Sequence, residues 1–293
     1  MTTLSNTEAV QQIGSLKMCF YGAGSMAEAM VRGLLDRGLT EPQQVSMMNR
    51  SNIDRLNELS SRYGVHTAAQ NEAKVAMLRE ADIVFLAMKP KDAAEAILQL
   101  RDLLHPGQLI VSIIAGMTIK TLETLLGKPM PIVRTMPNTS STIGLGATGV
   151  SFSSSVTATQ RSLAELMFQS VGLTAIVDEP ILDVVTGLSG SGPAYVYYLM
   201  EAMIAAGSEL GLSEEAAREL TIQTVLGAAH MVKATGENPA ELRRKVTSPN
   251  GTTHAAIEKL DANNFSGGVI SAIARAAERA AEMGAEIERK ATS

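Results

Sequence analysis

Residues Gly22-Ala23-Gly24-Ser25-Met26-Ala27 set the spacing G-x-G-x-x-A directly after a short apolar run and at the head of a segment with apolar residues at helical spacing. That placement suits a pyrophosphate. Gly22 permits a tight turn, Gly24 lets backbone approach the anion, and Ala27 lets helix and strand pack closely. Ser25 and Met26 open the helix, whose free N–H groups then face the negative charge. The end of the next strand, Met48-Asn49-Arg50-Ser51, has no carboxylate to take the ribose hydroxyls of NAD. Arg50 can pair with a 2′-phosphate, and Asn49 and Ser51 can donate to it, so NADPH is favoured and NADH remains open. The competing reading of Arg50 is an exposed arginine before a helix cap. Asp54 lies too far into the following helix to be the ribose ligand.

Other strand ends offer polar groups at the same kind of crevice. Ala87-Met88-Lys89-Pro90 places a cation for phosphate or carboxylate beside a stiff turn, or else a lysine in solvent. Arg134-Thr135-Met136-Pro137-Asn138-Thr139 closes a later strand, and Asn138 either orients a nicotinamide or holds a backbone turn. Two hydroxyl-rich, glycine-containing helix starts follow: Gly187 to Tyr195, with Pro193 suited to a first helical turn, and Val246 to Ala255. Such a start can cradle a carboxylate with N–H groups and hydroxyls and no net charge, or can be an ordinary capped helix. His66, His105 and His230 have no metal-ligand spacing, His254 points away from its neighbour's face, and Cys19 reads as a packed core thiol.

The elements that must position these groups form two patterns. From Leu16 to about Asp178, short apolar strands alternate with amphipathic helices, which predicts a mostly parallel sheet covered on both faces. From Ile181 to Lys290 only helical segments appear: 193–211, 213–235, 239–246, 252–261 and 266–290. The expected organisation is a loose tail at 1–15, a Rossmann-like NAD(P)-binding domain at 16–178 and a helical domain at 179–293. Ala194 to Gly207 is apolar nearly all round, which predicts burial on most sides. The final helix carries a stripe of Ile270, Ile273, Ala277, Ala280, Gly284 and Ile287, suited to close crossings. Together these favour a homodimer through the helical domain.

Composition narrows the classes. The 293 residues exceed one domain of roughly 150. A 45% hydrophobic and 19% charged chain is globular in balance, and 3% aromatic residues without Trp suit neither a β-sandwich nor a base-stacking module. A net charge of −5 gives no footprint for nucleic acid, and one cysteine excludes a disulfide framework. The first 16 residues lack Lys and Arg, and no apolar run approaches a membrane span, so a cytoplasmic protein without membrane or metal is expected.

Taken together, the motifs resemble the pyrroline-5-carboxylate reductase family. Glu241 to Leu260 (ELRRKVTSPNGTTHAAIEKL) is similar to the family signature, and GAGSMA, AMKP, VRTMPNT and GSGPAYVYYLMEA follow in the family's order and spacing. The likeness runs from about Leu16 to Arg289. It implies reduction of the cyclic imine (S)-1-pyrroline-5-carboxylate to L-proline with NADPH or NADH, the last step of proline biosynthesis. It also implies subunits intertwined through carboxy-terminal helices, sometimes assembled as decamers.

By position, Thr253 matches the threonine that bonds the substrate ring nitrogen. Ser248, Gly251 and Thr252 match the carboxylate loop. Gly22, Gly24, Ser25 and Met26 match the dinucleotide turn, and Asn49, Arg50 and Ser51 match the ribose reader. Lys89 and Pro90 match the loop beside the cofactor. Asn250 and Ser25 depart from the commonest family residues, but Asn tolerates a left-handed backbone and no chemistry hinges on Ser25. Hydride transfer to a protonated imine chiefly needs proximity and orientation, which fits a site without an Asp/His dyad. A β-hydroxyacid dehydrogenase, the nearest rival, would need a lysine in the helix after Gly190, yet none occurs before Lys233. A non-catalytic nucleotide-sensing homologue would not need the intact 248–253 loop.

Overall fold

The structure, a computed structural model, describes residues 6–68 and 71–292. An 8-stranded sheet runs in the order β3-β2-β1-β4-β5-β6-β7-β8. Its strands are β1 (Met18–Tyr21), β2 (Val45–Met48), β3 (His66–Ala68), β4 (Ile83–Leu86), β5 (Leu109–Ser112), β6 (Ile132–Met136), β7 (Gly146–Phe152) and β8 (Gly172–Ile176). All neighbours pair in parallel except β6 and β7. The first six strands have the order of a doubly wound dinucleotide-binding sheet.

Alternation along each strand builds a core on either face. Met18 and Phe20 of β1 and Phe85 of β4 enter one cluster, while Cys19, Val84 and Leu86 enter the other. Phe20 and Phe85 stack with centroids 4.2 Å apart. Methionines fill much of the remaining space, with Met18, Met30, Met47, Met48, Met117, Met130 and Met167 all buried. Their flexible stems suit irregular gaps in a chain with few rings.

The intervening helices are α1 (Asn6–Ser15), α2 (Ser25–Asp36), α3 (Ile53–Tyr63), α4 (Asn71–Glu80), α5 (Pro90–Leu100), α6 (Ile119–Leu126) and α7 (Ala158–Gln169). The residues expected to be a loose tail instead include α1, with Ala9 and Ile13 in the core. These apolar residues are one helical turn apart and find a surface only in the tertiary structure. The part of the tail at 1–5 lies outside the described residues.

Beyond β8 come a short helix α8 (Leu182–Val185) and the helices α9 (Gly192–Glu209), α10 (Glu214–Thr235), α11 (Pro239–Lys245), α12 (Thr252–Ala262) and α13 (Phe265–Thr292). The chain separates into two compact units, residues 1–191 with 275–293, and residues 192–274. The sequence pattern changes at Asp178, where strands end. The compact units divide later, because α8 packs on β6 and β7 and the second half of α13 belongs with the sheet.

In the first unit, Ala280 and Ile287 of α13 are buried, and Gly284 crosses the backbone at Gly116. In the helical unit, α9 and α10 pack closely at Gly207 and Ala217. The expected burial of α9 on most sides is not met within one chain. Val196, Tyr197, Tyr198 and Leu199 are exposed, as is Ile270 of α13, because one layer of helices cannot cover an all-round apolar helix. Among the described residues, no helix is long and apolar enough to cross a membrane, and no group of His, Cys, Asp or Glu could hold a metal ion.

Candidate active site

The parallel register brings three of the sequence motifs to one edge. Tyr21 pairs with both Met48 and Leu86, so β1, β2 and β4 end level. The turns that follow are stitched together: Gly22 N–H donates to Met48 O at 3.1 Å, and Ala87 N–H donates to Tyr21 O at 3.0 Å. Gly22–Met26, Asn49–Ser51 and Ala87–Pro90 therefore share the carboxyl edge of the sheet, where open α/β folds bind ligands.

Gly22 sits at φ +127°, and a Cβ there would fall on the Ala87 carbonyl. Only glycine fits that close approach. Gly24 is the cap of α2 and has no side chain, so the first N–H groups of the helix are left for another acceptor. Lys89 caps α5 without a side-chain bond, with Pro90 in its first turn. By contrast, Asn52, Thr118, Thr157 and Ser213 cap α3, α6, α7 and α10 with their own oxygens.

Asn49 Oδ1 accepts from the N–H groups of Ser51 at 3.3 Å and Asn52 at 3.4 Å, shaping the loop that carries Arg50. The Arg50 side chain is 84% exposed and lies 3.6 Å from Asp92 of α5. Asn138 engages backbone at both ends of its amide: Nδ2 donates to Ser189 O at 3.0 Å, and Oδ1 accepts from Ala147 N–H at 3.1 Å. Ser189 lies in a π turn over Thr186–Gly190, closed by Ser191 N–H to Thr186 O at 2.8 Å. The sequence analysis reads Gly187 to Tyr195 as a helix start, and the π turn falls within it.

Beneath it, the buried Arg134 pairs with Glu179 at 3.1 Å and Asp183 at 3.2 Å. Glu179 also accepts from Ile119 N–H at 2.6 Å, tying α6 to the same cluster. The pairing balances a cation that would be costly to bury alone.

In the helical unit, Ser248–Thr253 forms a tight turn into α12. Gly251 N–H donates to Ser248 O at 3.0 Å, and Asn250 adopts φ +59°, the left-handed backbone its side chain tolerates. A Cβ on Gly251 would lie 2.7 Å from Ser248 Oγ. Gly251 caps α12 without a side chain, so hydroxyls of Thr252 and Thr253 stand beside open N–H groups. Thr253 is half-buried, and the neighbouring His254 faces Glu258 at 3.7 Å, one turn along the helix.

Comparison with known proteins follows the same division. Residues 179–283 match the family model described as pyrroline-5-carboxylate reductase dimerisation. Residues 17–116 match one described as NADP oxidoreductase, coenzyme F420-dependent. Pyrroline-5-carboxylate reductase 1 of Bacillus subtilis is 42% identical over 94% of this chain and 92% of its own length. The chain belongs to the pyrroline-5-carboxylate reductase family.

A pyrroline-5-carboxylate reductase structure from Coxiella burnetii superposes with a TM-score of 0.84 at 39% identity, covering 92% of this chain and 98% of that one. The pyrroline carboxylate reductase of Plasmodium falciparum, determined with NADP bound, gives 0.83 at 29% identity, covering 93% and 99%.

Sequence reasoning missed Arg55, whose side chain reaches the Gly22–Gly24 turn: its Nε–H donates to Ala23 O at 3.2 Å. An arginine in the first turn of a surface helix carries no local signal of such a contact. It also missed the role of Glu179 and Asp183 as partners of Arg134, which only the fold brings together.

Proposed function

We propose that this protein reduces (S)-1-pyrroline-5-carboxylate to L-proline, using NADPH in preference to NADH. The observation that carries the reading is the uncapped start of α12, where Ser248, Gly251, Thr252 and Thr253 offer hydroxyls and N–H groups. Such a set suits a small carboxylate next to a ring nitrogen. Near-full-length similarity to curated family members supports it.

The residues at the sheet edge fit a dinucleotide. Gly22, Gly24, Ser25 and Met26 would hold the pyrophosphate at the open end of α2. Asn49, Arg50 and Ser51 would meet the 2′-phosphate, and Ala87, Met88, Lys89 and Pro90 would flank the cofactor. Asn138 supports the neighbouring backbone. When bound, NADPH supplies the hydride. The imine carbon C2 of the protonated substrate accepts it, the π pair of the C=N bond becomes the nitrogen lone pair, and the resulting amine then takes a proton from water to become the ammonium. Thr253 orients the ring nitrogen, and the 248–253 loop fixes the carboxylate, so catalysis rests on alignment. The exposed apolar residues of α9 support a homodimer through the helical unit, and sedimentation would separate a dimer from a decamer.

The test is oxidation of NADPH and of NADH with pyrroline-5-carboxylate, repeated for Arg50→Ala and Thr253→Val. Turnover with loss of NADPH preference in Arg50→Ala is expected. Absence of turnover with either nucleotide would sink the proposal. Intact saturated activity in Thr253→Val would exclude Thr253 as the proton donor.

A further inference from the structure

Arg55 touches both loops of the nucleotide edge. It occupies the first turn of α3, where its backbone N–H donates to Asn52 Oδ1 at 3.0 Å. Asn52 belongs to the loop that Asn49 shapes around Arg50. The Arg55 side chain turns toward α2: Nε–H donates to Ala23 O at 3.2 Å, one terminal nitrogen pairs with Glu28, and the other pairs with Glu58 at 2.7 Å. Glu28 is itself held by Arg62 and by the Tyr63 hydroxyl, both at 2.8 Å. Every edge of the guanidinium is engaged, and its side chain is 20% exposed.

Ala23 is the middle residue of the Gly22–Gly24 turn. Its peptide with Gly24 is trans, so the Ala23 carbonyl and the Gly24 N–H point in opposite directions from one rigid plane. Holding the carbonyl on Arg55 therefore aims the Gly24 N–H the other way. The carboxylates of Glu28 and Glu58 flank the guanidinium, so the effect is one of aim more than of added charge.

We propose that Arg55 is a positioning residue for the dinucleotide. It aims the Gly24 peptide and fixes the spacing between the pyrophosphate turn and the Asn49–Ser51 loop. The proposal rests on reading those two loops as the cofactor site. It makes the nitrogen at the ε position, not the charge, the part that matters.

Two substitutions separate these features. Arg55→Lys keeps the charge and has carbon at the ε position; Arg55→Gln loses the charge and keeps an amide nitrogen there. Binding of NADPH and NADH would be titrated through the fluorescence of the reduced nicotinamide, alongside steady-state kinetics and thermal melts. Arg55→Lys is expected to weaken both nucleotides about tenfold, the worth of one hydrogen bond. Arg55→Gln is expected to stay within about threefold of the parent, a difference of under 1 kcal/mol. In both, kcat at saturating NADPH and KM for pyrroline-5-carboxylate should hold. Parental affinity in Arg55→Lys, or equal losses in the two variants, would overturn the proposal. If either variant fails to fold, Glu28→Gln, which frees the guanidinium to drift from Ala23, must show the same nucleotide-specific loss or the idea falls. A parent protein that binds neither nucleotide would instead refute the underlying reading of the site.

Discussion

The side-chain amide of Asn138 donates to the backbone carbonyl of Ser189 at 3.0 Å, fastening the end of β6 to the π turn before α9. The other end of the same amide takes the Ala147 N–H at the start of β7. Replacing it with alanine leaves one donor and one acceptor without their partner. Asn138→Ala is expected to lose about 1–3 kcal/mol of stability, the cost of unsatisfied buried groups. Urea unfolding would measure it, with NADPH affinity well below the transition unchanged. A fall in affinity without a fall in stability would assign the amide to the nicotinamide instead.

Asp92 pairs with Arg50, so under the proposed role of Arg50 it would compete with a 2′-phosphate. The pair is 3.6 Å apart and open to solvent, so its own contribution is small. Asp92→Asn removes the competing anion. The KM for NADPH should fall by about twofold to fivefold at low salt, and the gain should vanish at high ionic strength. The KM for NADH should not move. Equal effects on both nucleotides would mean that Asp92 does not act through the 2′-phosphate.

The Glu28 cluster predicts an acid-side stability change. Burial pushes the Glu28 carboxyl up, but hydrogen bonds from Arg55, Tyr63 and Arg62 outweigh it and hold the pKa below 4.5. A depressed folded-state value means the unfolded chain binds the proton first as pH falls. The stabilisation is therefore complete above 4.5 and is lost as pH drops below that value. Denaturant unfolding between about pH 3 and pH 6 should show a shallower acid limb for Glu28→Gln than for the parent. Identical limbs would count against the cluster.

Gly284 lies where a Cβ would come within 2.6 Å of the Gly116 carbonyl oxygen, and Gly116 itself is at φ +76°. Neither backbone can yield easily. Gly284→Val should cost about 1–3 kcal/mol by overpacking, visible as a lower melting temperature. An unchanged melt would show that this half of α13 is loosely seated.

Much of this molecule is legible along the chain. Period-two and helical patterns place the strands and helices, because burying one face of a local element leaves a local signature. Ile119–Leu126 is read as a helix and is one, opened by Thr118 and closed by Gly127 in the left-handed conformation. The turn after β1 is equally readable, since Gly22 must adopt a backbone that only glycine takes freely.

The same argument explains what stayed hidden. Arg55, Asn138 and Arg134 act through partners distant in sequence, at Ala23, Ser189 and Glu179, and no spacing rule links such pairs. The helix at Asn6–Ser15 reads as a tail because its buried stripe is short, and only the core it meets makes it stable. Sequence by itself determined most element types, the glycine-led turn after β1 and the hydroxyl-rich start of α12. Tertiary structure alone decided which strand ends stand level and which polar side chains hold backbone, because those depend on register and long-range hydrogen bonds that exist only once the sheet has closed.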